Sequence, residues 1–113
     1  MTEYFTESEL ECKCCGRKKT DKLFLVKLNQ ARELTGFPFI VDSGYRCPKH
    51  NAEVGSTSGN HINGKAADIR CFDANKRIRM VAALISVGML GIGVHKTFVH
   101  CDTNRTGTAM WVY

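Results

Sequence analysis

His61-Ile62-Asn63-Gly64-Lys65-Ala66-Ala67-Asp68 is the stretch on which the fold turns. It sets an imidazole and a carboxylate on either side of a six-residue spacer. Seven steps of extended chain would hold them up to roughly 23 Å apart. To share one partner, the segment must fold back. Asn63-Gly64 supplies the turn, because a positive φ costs little there. The small pair Ala66-Ala67 then lets a strand carrying Asp68 pack closely. Further on, Phe98-Val99-His100-Cys101-Asp102 reads as a second strand. Its alternation puts Val99 and Cys101 inward and His100 on the opposite face, so Asp68 and His100 can point from one sheet face. Two imidazoles and a carboxylate are a common donor set for a catalytic zinc, which leaves one position open for water.

The rest of the chain reads as a frame around these strands. Tyr4 to Glu11 suggests a short helical turn or loop, with Thr6 and Glu9 spaced as a capping box. Thr20-Asp21 caps a helix with Phe24, Leu28, Ala31 and Leu34 on its apolar face, ended by Gly36 and Pro38. Phe39-Ile40-Val41 reads as a short strand. Asp42 to Asn51 is a polar loop in which Pro48 opens a short helix to about Val54. Gly55 to Asn60 is a small-residue loop. Ala66 to Phe72 reads as a strand. Asp73 to Val87 reads as a helix with Ile78, Val81, Ala82 and Ile85 on one face and Gly88 beyond its end. Gly91 to His95 and Phe98 to Asp102 form a hairpin around Lys96-Thr97, and Met110 to Tyr113 a last strand. Helices and strands mix without strict alternation. The expected class is α+β, with a small, mainly antiparallel sheet and helices packed on one face.

With 113 residues, 43% of them apolar and 24% charged, residues 1–113 suit a single domain, with 1–19 as its cysteine-bearing N-terminal segment. No run is long enough to insert in a membrane. The N-terminus shows neither a basic nor an apolar signal region. The formal charge of +5 favours anionic partners. Its basic residues are spread out, apart from Arg17-Lys18-Lys19 and Lys76-Arg77-Ile78-Arg79. No nucleic-acid footprint is expected.

The motifs resemble those of the zinc D-Ala-D-Ala carboxypeptidases and murein endopeptidases, which share a fold with lysostaphin-type peptidases and the Hedgehog signalling domain. The resemblance is carried by Ser43-Gly44-Tyr45-Arg46-Cys47-Pro48-Lys49-His50-Asn51 and Val54-Gly55. It continues through His61-x-x-Gly64-x-Ala66-Ala67-Asp68-Ile69, Gly91-Ile92-Gly93-Val94 and Phe98-Val99-His100-x-Asp102. It implies zinc held by His61, Asp68 and His100, with Arg46 near the metal to bind a carboxylate or a developing oxyanion. Tyr45, Ser58 and Asp102 are expected to bind substrate or support the ligands.

Two positions depart from the family pattern. Gly59 stands where many relatives carry Ser, with Ser58 one residue back. Thr97 stands where many carry the Asp or Glu that serves as general base. His95 is the expected substitute, as base or transition-state donor, with Asp102 as the other candidate. The implied substrate is the peptidoglycan stem peptide, cut by an enzyme expected to be a monomer that resembles phage lysis proteins. Such a protein would be made in the cytoplasm and reach the wall or periplasm by holin-type release. Two other readings compete: a non-catalytic zinc-binding module of the same fold, and a zinc-ribbon-like nucleic-acid binder. The last leaves His61, Asp68 and His100 unexplained.

Six cysteines without a signal region favour thiols or metal over disulfides. Cys12, Cys14 and Cys15 precede Gly16, and Cys47 and His50 stand at Cys-x-x-His spacing. A structural metal, a disulfide from the N-terminal group to Cys47, and reduced thiols all remain open. Cys71 and Cys101 read as small buried residues beneath the helices.

Overall fold

The computed structural model describes residues 5, 10–13, 15–16, 19–54, 61 and 63–113, without the side chain of His50. The Thr6/Glu9 capping box, the Gly55–Asn60 loop, Cys14 and Ser58 lie outside the described residues.

In chain order the elements are α1 (Lys22–Thr35), β1 (Val41–Ser43), α2 (Pro48–Glu53), β2 (Ala66–Arg70), α3 (Ala74–Ser86), β3 (Gly91–Val94), β4 (Phe98–Asp102) and β5 (Ala109–Val112). The strands form one sheet in the order β1-β2-β4-β3-β5. Its pairs are antiparallel except β3 with β5, which run parallel. The α+β class and the mainly antiparallel sheet therefore hold. Among the described residues no helix is long and apolar enough to cross a membrane.

Local chemistry sets the helix ends. Asp21 caps α1 by accepting from the Phe24 N–H at 3.0 Å, and Asp73 caps α3 by accepting from the Lys76 N–H at 3.3 Å. Gly36 ends α1 in the left-handed conformation. Helices α1 and α3 pack together over the sheet. Phe24, Leu28 and Ala31 meet Met80, Ala83 and Leu84, above Ala67, Ile69, Ile92, Val99 and Cys101. Cys71 and Cys101 are buried in this core, as expected.

The packed helix faces differ from the predicted ones. In α3, Ile78 and Ile85 are exposed and Met80, Ala83 and Leu84 are buried. The sequence offers two apolar stripes there, and contact with α1 selects the second. In α1, Leu34 is exposed while Thr35 is buried. Thr35 turns its hydroxyl to the Arg32 carbonyl at 3.0 Å, so its burial leaves no unsatisfied donor. Strand β1 starts at Val41 rather than Phe39, because pairing with Ile69 and Asp68 fixes its register. Phe39 goes into the core.

Candidate metal centre

Strand register builds one face of the site. Asp68 on β2 lies opposite His100 on β4, and His100 lies opposite Gly93 on β3. Directly paired residues project to the same side of a sheet. The alternate residues Ala67, Ile69, Val99 and Cys101 face the helices. Asp68, His100 and Asp102 are thus carried on the opposite face.

His61 arrives by the turn before β2. Gly64 adopts φ +69°, and a Cβ there would collide with the Lys19 carbonyl. Only glycine satisfies both conditions. The Gly64 N–H closes the turn onto the His61 carbonyl at 3.2 Å. One donor atom from each of His61, Asp68 and His100 lies within 4.8 Å of the other two.

The hydrogen bonds assign the atoms. His61 Nδ1 lies 2.7 Å from the Gly44 carbonyl oxygen, which can only accept. Nδ1 therefore carries the proton, and the Nε2 lone pair faces Asp68 Oδ1 at 3.5 Å. His100 Nδ1 lies 2.9 Å from the same oxygen, while His100 Nε2 is 2.7 Å from Asp102 Oδ2. The convergent donors are His61 Nε2, Asp68 Oδ1 and His100 Nδ1. Ligands around a tetrahedral ion at zinc–nitrogen distances sit roughly 3.3 Å apart. The two separations to Asp68 bracket that value, so the donor set fits a divalent cation. The nitrogens turned away are both held, by a carbonyl and by a carboxylate, as is usual for histidines that bind metal.

Electrostatics agree. Burial opposes ionisation of Asp68, yet the hydrogen bond from His100 Nδ1 keeps its carboxyl well below the usual range. Burial disfavours charge on His100, but bonds to Asp102 and Asp68 outweigh it and raise its pKa. Burial also opposes charge on Asp102, but His100 and Arg105 lower its pKa to about 2. A cation entering the cluster displaces a proton from His100 Nδ1 and leaves Nε2–H on Asp102.

Arg46 reaches the cluster from the loop after β1. Its Nη2 donates to Asp68 Oδ2 at 3.2 Å and its Nε to Ser43 Oγ at 3.0 Å. Asp68 therefore presents one oxygen to the histidines and the other to the guanidinium. Asp102 is wholly buried and clamped by a two-pronged Arg105, at 2.8 and 2.7 Å. Held this way it supports His100, with both of its oxygens engaged by His100 and Arg105.

His95 lies at the far end of the β3–β4 hairpin. Its described contacts are Thr97, a stacked Phe98 ring at 4.8 Å and the edge of Tyr113 at 5.9 Å. The Thr97 N–H points at His95 Nδ1 from 3.1 Å, so the neutral ring keeps its proton on Nε2. That arrangement suits a hydrogen-bond donor and occupies the lone pair a base would need. Tyr45, expected beside substrate or ligands, is buried with Cys12 and Cys47. That burial leaves it a supporting role and no face toward substrate.

Several residues escaped the sequence reading. The Trp111 ring lies 5.3 Å from the His100 ring, and Arg105 covers Trp111 at 4.9 Å. Gly91 and Gly93 leave room for them. A Cβ at Gly93 would meet Trp111 Nε1 at 2.6 Å, and one at Gly91 would collide with the Asp102 carboxylate. Glycines at alternating positions of a strand were the available signal, since they mark close approach on one face.

The family model described as Peptidase M15 matches residues 3–102. No curated protein matches the chain.

Proposed function

The chain belongs to the peptidase M15 family, and from that premise we propose that it is a zinc-dependent peptidase acting on peptidoglycan stem peptides. It would cut as a D-Ala-D-Ala carboxypeptidase or as a murein endopeptidase. The observation that carries the reading is the convergence of His61 Nε2, Asp68 Oδ1 and His100 Nδ1, with each outer nitrogen anchored.

When bound there, a zinc ion polarises the scissile carbonyl and lowers the pKa of the attacking water. The protein's own groups do the remainder. Asp102 fixes the His100 ring through Nε2, and Arg105 fixes Asp102. Arg46 sets a guanidinium beside Asp68, placed to hold a substrate carboxylate or the charge that develops on the carbonyl oxygen. His95 offers Nε2–H as a second donor. Trp111, Tyr113 and Phe98 line the sheet face next to the ligands and give a stem peptide an apolar wall. The formal charge of +5 suits an anionic wall polymer, reached in this reading after holin-type release.

A non-catalytic zinc-binding module is the second reading. It is favoured by Thr97, whose hydroxyl is engaged with His95 and cannot take a proton as a carboxylate would. One experiment separates the two. Zinc-loaded protein is incubated with muropeptides and the products are weighed by mass spectrometry. The peptidase reading expects a new species lacking one D-Ala or one cross-link, absent with His61→Ala or after EDTA. Full activity in the chelated sample removes the metal mechanism. Stoichiometric zinc with no product from any muropeptide selects the binding module.

A further inference from the structure

A second group of soft donors lies apart from the His–Asp–His cluster. The sulfurs of Cys12, Cys15 and Cys47 lie within 4.8 Å of one another. Cys12 and Cys47 are buried, and Cys15 is exposed. Cys12 and Cys15 stand at Cys-x-x-Cys spacing. The chain after them turns through Gly16 at φ +69°, whose N–H bonds the Cys12 carbonyl at 2.8 Å. That tight turn aims two sulfurs to one side. The Cys47 backbone N–H donates to Cys12 Sγ at 3.3 Å, a bond that favours a charged sulfur.

We propose that Cys12, Cys15 and Cys47 bind a second, structural divalent cation of the thiophilic class, zinc in the cell. Thiolates around a tetrahedral zinc lie roughly 3.8 Å apart, compatible with the observed grouping. Thiolates select zinc over harder ions. Each thiol gives up its proton to solvent as the cation enters. A disulfide would join two of the sulfurs and strand the third beside them.

The position gives this cation a task. The Tyr45 N–H bonds the Leu10 carbonyl at 2.8 Å, and a Cβ on Gly44 would meet Leu10 at 2.6 Å. Leu10 is thus pressed against the loop that carries Arg46 and the Gly44 carbonyl on which His61 rests. A cation tying Cys12 and Cys15 to Cys47 clamps that loop from behind.

The test is metal stoichiometry and cobalt spectroscopy on the full chain, so it reads differently from failure of the peptidase reading. Purified protein is expected to hold two zinc ions per chain. Cobalt substitution is expected to give a near-ultraviolet thiolate-to-metal band that persists in His61→Ala and is lost or strongly reduced in Cys15→Ser. Cys15 is exposed, so that variant keeps its packing even if the buried Cys12→Ser or Cys47→Ser variants prove insoluble. A single zinc that vanishes in His61→Ala overturns the proposal. So does a native mass short of two hydrogens with the bridge mapped within this group.

Discussion

Asp102 touches His100 on one side and Arg105 on the other, with no exposed surface of its own. Its contribution is to hold the His100 ring in one orientation. Asp102→Asn is expected to weaken zinc binding roughly 10–100-fold while leaving all three ligands in place, read by competition with a chromophoric chelator. The same residue has an acid signature in metal-free protein. Its folded pKa of about 2 lies below the ordinary 3.8. The stabilisation is therefore present above about pH 4 and fades as the pH falls toward 2. It amounts to about 2 kcal/mol. Denaturant melts between pH 5 and pH 2 are expected to show a steep acid limb that flattens in Asp102→Asn. An unchanged limb would assign acid sensitivity to other carboxylates. The residue scale was partly legible. His61, Asp68 and His100 stood out by residue type and spacing. Arg105 and Trp111 did not, because their roles depend on a loop and a last strand returning to the site.

Strand β3 shows how an element serves a site without supplying a ligand. Gly91 and Gly93 empty its outer face, so Asp102 and Trp111 can close over it. Gly93→Val is expected to push Trp111 and Tyr113 outward, raising KM several-fold with zinc content unchanged. Trp111 is the sole tryptophan, so its emission should shift to the red in the same variant. Emission identical to the parent would mean that the wall accommodates the added methyls. Element types were readable from periodicity, and most ends from caps such as Asp21, Asp73 and Gly36. Helix faces were less so. Both stripes of α3 are apolar, and a local pattern has no means of choosing between Ile78/Ile85 and Met80/Leu84.

Across the whole molecule, the sheet has two unlike faces. One carries the helices and the apolar core, and the other carries the charged cluster with its aromatic wall. On the proposed reading, metal binding at that cluster is linked to folding, because the unfolded chain cannot gather donors from β2, β4 and the preceding turn. Chelation with EDTA is expected to lower the thermal midpoint of the parent. A free cation at a thousand times its dissociation constant contributes about 4 kcal/mol. His61→Ala, in contrast, should lose most of its response to zinc at this site. A parent midpoint indifferent to chelation would show that the cluster is complete without an ion.

The sequence by itself determined the mixed architecture, the turn at Gly64 and the candidate donors His61, Asp68 and His100. These follow from local steric rules and from donor chemistry, which act over a few residues. The tertiary structure alone decided which nitrogen of each histidine faces inward, which stripe of α3 is buried, and that Cys47 meets Cys12 and Cys15. Those outcomes depend on contacts between segments far apart in the chain, and no local pattern contains the energy of a contact that has yet to form.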